Sequence, residues 1–145
     1  MAVFLNNTVG FKIGTVDLSD HVKQITINQK FDELEVTAIG DTGHKFVKGL
    51  ESSSITVSFL NDDATTPTAS VLATLESLYG QSATFKAVQI ASAGTATVSA
   101  SNKLYSGLIL INNLTPINGA VGDISTQDIT FTVNGAITVA DTGTF

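Results

Sequence analysis

The chain has 145 residues, of which 43% are apolar and only 14% charged, with a net charge of −6 and no cysteine. That length fits one domain with a real core, and the missing cysteines exclude disulfides, thiolate catalysis and cysteine-ligated zinc. All seven basic residues are lysines, five of them before residue 51, whereas seven of the thirteen acids follow residue 50; such a surface repels nucleic acid and lacks the arginine forks that read guanine and phosphate.

A free monomer carries about a quarter charged residues. The lower fraction here predicts that part of the surface is buried against partners, which favours an obligate oligomer. Met1-Ala2-Val3-Phe4-Leu5-Asn6 lacks the basic region and the apolar length of a signal peptide. The longest aliphatic run, Leu108-Ile109-Leu110-Ile111, falls far short of the roughly 20 residues that span a bilayer. These features predict a protein made in a cytoplasm and soluble until it assembles.

In chain order, short apolar runs rich in Val, Ile, Thr and Phe alternate with Gly, Asn and Asp, the composition of strands and turns. A weak strand is expected at 9–13. Residues 22–28 alternate, with Ile25 and Ile27 opposing Gln24, Thr26 and Asn28. Residues 33–39 alternate again, with Leu34, Val36 and Ala38 opposing Glu33, Glu35 and Thr37. From about 40 to 53 comes a long excursion with three glycines, Gly40, Gly43 and Gly49, and long ordered loops are often functional. The cleanest strand is 54–59, where Ile55, Val57 and Phe59 oppose Ser54, Thr56 and Ser58.

One helix is predicted over about 66–79. Thr66-Pro67 supplies a cap and an N1 proline, Val71, Leu72, Leu75, Leu78 and Tyr79 form an apolar stripe, and Gly80 is a stop. The stripe predicts a helix packed on the sheet. Weaker strands follow near 84–90, 104–111 and 136–139. Residues 128–133 alternate clearly, Ile129, Phe131 and Val133 opposing Asp128, Thr130 and Thr132. No repeat or linker divides the chain, so a single domain spans 1–145.

The motifs of chemistry are weak. Asp-Thr-Gly occurs at 41–43 and 141–143, and aspartic proteases use two such loops to share a proton. The second copy leaves only Thr144 and Phe145 to bury it, so turn chemistry is the better reading. Ser19-Asp20-His21 has triad residue types, but neighbours on an extended chain point to opposite sides. His21 and His44 are too isolated for a metal site, and Asn61-Asp62-Asp63 lacks the spaced ladder of a calcium loop. No cofactor, metal site or enzymatic activity is expected.

Three groups of residues carry a resemblance. They are Val16-Asp17-Leu18-Ser19-Asp20-His21-Val22, then Phe31 to Gly43 with Lys48-Gly49-Leu50 and the strand Ile55-Thr56-Val57-Ser58-Phe59, then Asn113-Leu114-Thr115-Pro116-Ile117 and Gly122 to Gln127 with the closing strand from Ile129 to Gly135. In order and spacing the chain resembles the major tail tube proteins of long, non-contractile-tailed bacteriophages. The resemblance spans almost the whole chain and is weakest at 91–103. It implies a mainly β fold, a β-sandwich or half-barrel with one flanking helix. Such subunits form rings, usually six-fold, stacked into a hollow tail tube through which DNA is delivered. It also implies a virion location and partners: further copies, a tape measure protein, tail terminator and tip proteins, and assembly chaperones. DNA is expected only in transit, without specific binding.

On that reading, Gln24, Thr26, Asn28, Glu33, Glu35, Ser54, Thr56, Ser58, Asp128, Thr130 and Thr132 are expected to face the lumen. In the family, a long loop in the position of 40–53 reaches the next ring, so Asp41, His44, Lys45, Phe46, Val47 and Lys48 are the expected inter-ring contacts. Two alternatives stand beside it: a tube subunit of a contractile tail or secretion system, and a monomeric β-sandwich binding or decoration module. The absence of tryptophan and the core phase of most phenylalanines count against the binding module.

Overall fold

A computed structural model describes residues 8–62, 70–91 and 96–145. The described chain is mainly β with one helix. Strands β1 (Gly10–Ile13), β2 (Val16–Asp17), β3 (Val22–Asn28), β4 (Phe31–Glu35), β5 (Phe46–Glu51) and β6 (Ser54–Leu60) precede α1 (Val71–Leu78). Strands β7 (Ser82–Val88), β8 (Leu104–Leu110), β9 (Thr126–Val133) and β10 (Thr138–Ala140) follow it. The main sheet runs β2-β1-β7-β8-β9-β6-β3, with β10 also on β8, and all its pairings are antiparallel.

The sheet turns a corner at β8–β9. Only Ile109–Val133 and Leu110–Thr132 pair there, after which the chain passes Gly135, in the left-handed region at φ 102°, and β10 resumes pairing on β8. One layer therefore holds β2, β1, β7, β8 and β10, and the other holds β9, β6 and β3. Their inner faces meet: the Phe11 ring of β1 lies 6.2 Å from that of Phe59 on β6, strands that are not neighbours in the sheet. Phe11, Ile13, Phe85 and Ile109 from one layer and Ile55, Val57, Phe59, Ile129 and Phe131 from the other are fully buried. This is the aligned-residue logic of a β-sandwich, where period-two apolar positions from both sheets fill one core.

The apolar phases read from sequence at 22–28, 54–59 and 128–133 all point into this core, and β6 and β9 begin and end within two residues of expectation. The two-residue β2 was not foreseen. It exists because Gly14, at φ 61°, lets the chain reverse directly after β1.

The helix starts later than the sequence pattern suggested. Ser70 is its N-cap, its hydroxyl accepting from Ala73 N at 3.1 Å, while the Asp62 carboxylate accepts from Val71 N at 2.7 Å. The expected Thr66-Pro67 start lies outside the described residues. Val71 and Leu75 are buried in the core with Leu78 packed against it, whereas Tyr79, expected in the same stripe, points to solvent. Gly80 ends the helix at φ 81°, as expected, and its N–H bonds to Ile111 O.

One buried polar side chain organises the far end of the sheet. The Gln127 amide is fully buried, its oxygen accepts from Thr115 N at 3.1 Å and its nitrogen donates to Asn61 Oδ1 at 2.7 Å. Gln127→Ala strands both partners and is expected to cost about 2 kcal/mol. A urea unfolding curve with a shifted midpoint and unchanged slope checks this.

Candidate assembly surfaces

The segment between β3 and β6 is a β-hairpin, not the long 40–53 loop expected from sequence. β4 and β5 pair through Phe31–Glu51, Glu33–Lys48, Leu34–Val47 and Glu35–Phe46 as a separate two-stranded sheet. The ladder continues outward through Val36 N to Lys45 O at 2.8 Å and begins with Ser52 N to Lys30 O at 2.8 Å. The sequence misled because Gly49 sits inside β5. There the glycine lets the backbone of Asp32 come close, since a Cβ would lie 2.7 Å from Asp32 O.

The expected strand over 33–39 is also corrected. β4 ends at Glu35, and none of its residues is buried, so the alternation of Leu34, Val36 and Ala38 does not mark a core face. Leu34 and Val47 pair on one face of the ribbon, and Glu35 and Phe46 pair on the other. The Lys48 ammonium lies 5.6 Å from the Phe31 ring centre, and the His44 and Phe46 rings are 6.3 Å apart. Phe31, Leu34, Phe46 and Val47 are each about half exposed, Leu50 is 82% exposed and Ile39 at the tip is fully exposed. An isolated two-stranded ribbon is marginal in water, and this one shows apolar groups on both faces.

Polar contacts hold the tip in shape. Asp41 accepts from Ala38 N at 2.8 Å and is ion-paired with Lys45, while His44 Nδ1 lies 2.5 Å from Glu35 Oε1. The contact with His44, helped by the Thr37 hydroxyl, holds the Glu35 carboxyl below its ordinary range. The Lys45 ammonium and Ala38 N do the same for Asp41. At the base, the Ser53 hydroxyl and Ile137 N lower Glu51. Depressed carboxylate values stabilise the folded form fully above the ordinary carboxylate range, and the effect is lost as pH falls through the lowered values. We therefore expect the 31–51 hairpin to loosen on acidification below about pH 4.5 while the main sheet persists. Backbone NMR shifts recorded from pH 7 to 3 check it; hairpin resonances unchanged to pH 3 would contradict it.

The second surface is the outer face of β3-β6-β9. Register places Gln24, Ser58 and Asp128 in one row, Thr26, Thr56 and Thr130 in the next, and Asn28, Ser54 and Thr132 in the third. The Thr56 and Thr130 hydroxyls are 3.0 Å apart. Nine of the eleven expected lumen residues thus form one continuous polar patch with a single charge, Asp128. Glu33 and Glu35 do not belong to it: they lie on the hairpin, in the other sheet. Among the described residues β3 pairs with β6 alone, so its other edge is free. Beside that edge lies an open cleft of about 300 Å³, lined by residues including Ile25, Ile27, Val88 and Tyr105.

The third surface was not anticipated. The segment 112–125, which leads into β9, presents Ile117, Val121 and Ile124 to solvent at 92%, 106% and 74% exposure. It is nevertheless pinned. Gln127 holds Thr115 N, the Asn118 side chain donates to Thr126 O at 3.1 Å, and Asp123 accepts from Ala120 N at 3.2 Å. The signal available in sequence was a glycine-punctuated run with a single charge, Asp123, and no strand alternation.

The remaining sequence motifs have structural roles. The Ser19 hydroxyl bonds the Asp17 carboxylate and accepts from Phe11 N, while His21 lies between Asp20 and Asp62, at 2.9 and 3.5 Å. Asp41 belongs to the hairpin tip, and Asp141 follows β10 on the main sheet, so the two Asp-Thr-Gly segments sit on different sheets. Among the described residues no three His, Asp or Glu side chains converge as metal ligands, and no helix is long and apolar enough to cross a membrane. Comparison of the chain with family models and with curated proteins finds no match.

Proposed function

We propose that this chain is a self-assembling structural subunit whose copies form stacked rings, a hollow tail tube of the kind its sequence resembles. The observation that carries the reading is the free-standing hairpin 31–51, with apolar side chains on both faces and none of them buried in its own domain. A monomer gains nothing from that exposure, and patches of this sort mark contact surfaces.

Two further features support a closed tube. The edge of β3 that pairs with no strand among the described residues is a template for a neighbouring sheet, and ring closure removes such edges. The nine polar residues in register on β3-β6-β9 offer hydroxyls, amides and one carboxylate, and the exposed Lys23 beside Gln24 is the one lysine on these strands. As a channel wall this face would offer phosphates few sites, so DNA would pass without sticking. Asp41, His44, Lys45, Phe46, Val47 and Lys48 run from the tip of the hairpin down β5, where they would meet the next ring.

A monomeric binding module is the second reading, and the open cleft beside β3 is the observation that favours it. Sedimentation and negative-stain microscopy of the pure protein separate the two. Rings or hollow tubes support the tube subunit; dispersed monomers at high concentration select the binding module.

A further inference from the structure

We infer that the hairpin docks on the exposed 112–125 loop of a second copy, so that copies add head to tail along the strand direction. This rests on the self-assembly reading above and names the surface that receives the hairpin.

The argument is one of ends. At one end of the three-stranded layer, Asn28 pairs Ser54 and Ser54 pairs Thr132, and there the chain leaves β3 for the hairpin and returns to β6. At the other end Leu60 pairs Thr126, and there the 112–125 loop enters β9. The seven residues of β6 separate these ends by about 20 Å. The hairpin and the loop of one copy are thus at opposite ends of the same strands. Copies stacked in one orientation bring the hairpin of each against the loop of the next, and the contact repeats without limit. A contact between unlike surfaces of identical chains is heterologous and builds a polar stack.

The surfaces also match in chemistry. Phe31, Leu34, Phe46, Val47 and Leu50 are exposed on the hairpin, and Ile117, Val121 and Ile124 on the loop. The single charge of the loop, Asp123, accepts a hydrogen bond from Ala120 N within the loop itself. Several hydrogen bonds from Gln127, Asn118 and Asp123 fix a loop that buries none of these three apolar side chains. A fixed apolar presentation is what a docking partner needs and what a free loop gains nothing from.

Two variants test it. One replaces Asp32–Leu50 with Asn-Gly and keeps the loop; the other carries Val121→Asp and Ile124→Asp and keeps the hairpin. Both change exposed residues, and circular dichroism confirms that each folds. Alone, each is expected to form nothing larger than a single ring under conditions where the parent stacks. Mixed, they should pair one to one and stack no further, because only one hairpin and one loop remain. If the parent and the loop variant stack alike, the loop is not the acceptor and the inference falls while self-assembly stands. If the mixture gives no pairing, the inference also falls. A parent that stays monomeric overturns the self-assembly reading itself.

Discussion

Replacing Asp32–Leu50 with an Asn-Gly turn is expected to leave a folded subunit and to abolish stacking into tubes. Phe31 and Glu51 are register partners, and Ser52 N already bonds Lys30 O at 2.8 Å, so two residues suffice to close the chain there. No residue from 32 to 50 is buried, so the core loses nothing. Glu51 is kept, and with it the bonds of its carboxylate to Ile137 N and the Ser53 hydroxyl. Sedimentation should show loss of every species larger than a single ring, with an unfolding midpoint close to that of the parent. Tubes of normal yield from this variant would show that the hairpin contributes no essential contact.

The second large effect concerns the sandwich core. Phe59 is fully buried, sits at the centre strand of its layer and meets Phe11 across the core. Phe59→Ala removes a ring that joins the two layers, and such truncations cost about 3–5 kcal/mol. A domain of this size has only about 5–15 kcal/mol in all, so the variant should unfold at far lower urea. Phe46→Ala, on the hairpin, should stay within about 0.5 kcal/mol of the parent. Equal effects at the two positions would contradict the division between a packed sandwich and a ribbon outside it.

The sequence was most legible where one face of a strand is buried. At β3, β6 and β9 period-two alternation identified both the core face and the polar face, because a buried face enforces the pattern. The same pattern misled at 33–39, where Leu34 and Val36 alternate with acids yet lie on a ribbon that its own domain does not cover. Alternation reports that a face is apolar; it does not report which chain covers it. Apolar residues in adjacent positions, Phe46 with Val47, were the sign of a ribbon apolar on both sides.

Gly49 hid β5 because glycine usually weakens a strand, and here it is required by the approach of Asp32. The exposed loop 112–125 escaped notice for a different reason. Its fixed shape depends on Gln127, Asn118 and Asp123, whose side-chain bonds to the backbone leave no periodic trace. Of the expected site, the inter-ring residues from Asp41 to Lys48 remained together, and Glu33 and Glu35 moved from the polar face to the ribbon.

An electron cryomicroscopy map of the assembled protein at side-chain resolution tests the central claim most directly. The account predicts stacked rings around a hollow channel, with the rows of Gln24, Thr26 and Asn28 on the channel wall and the 31–51 hairpin crossing into the neighbouring ring. Monomers with no ordered assembly, or tubes carrying those polar rows on the outer wall, would contradict it.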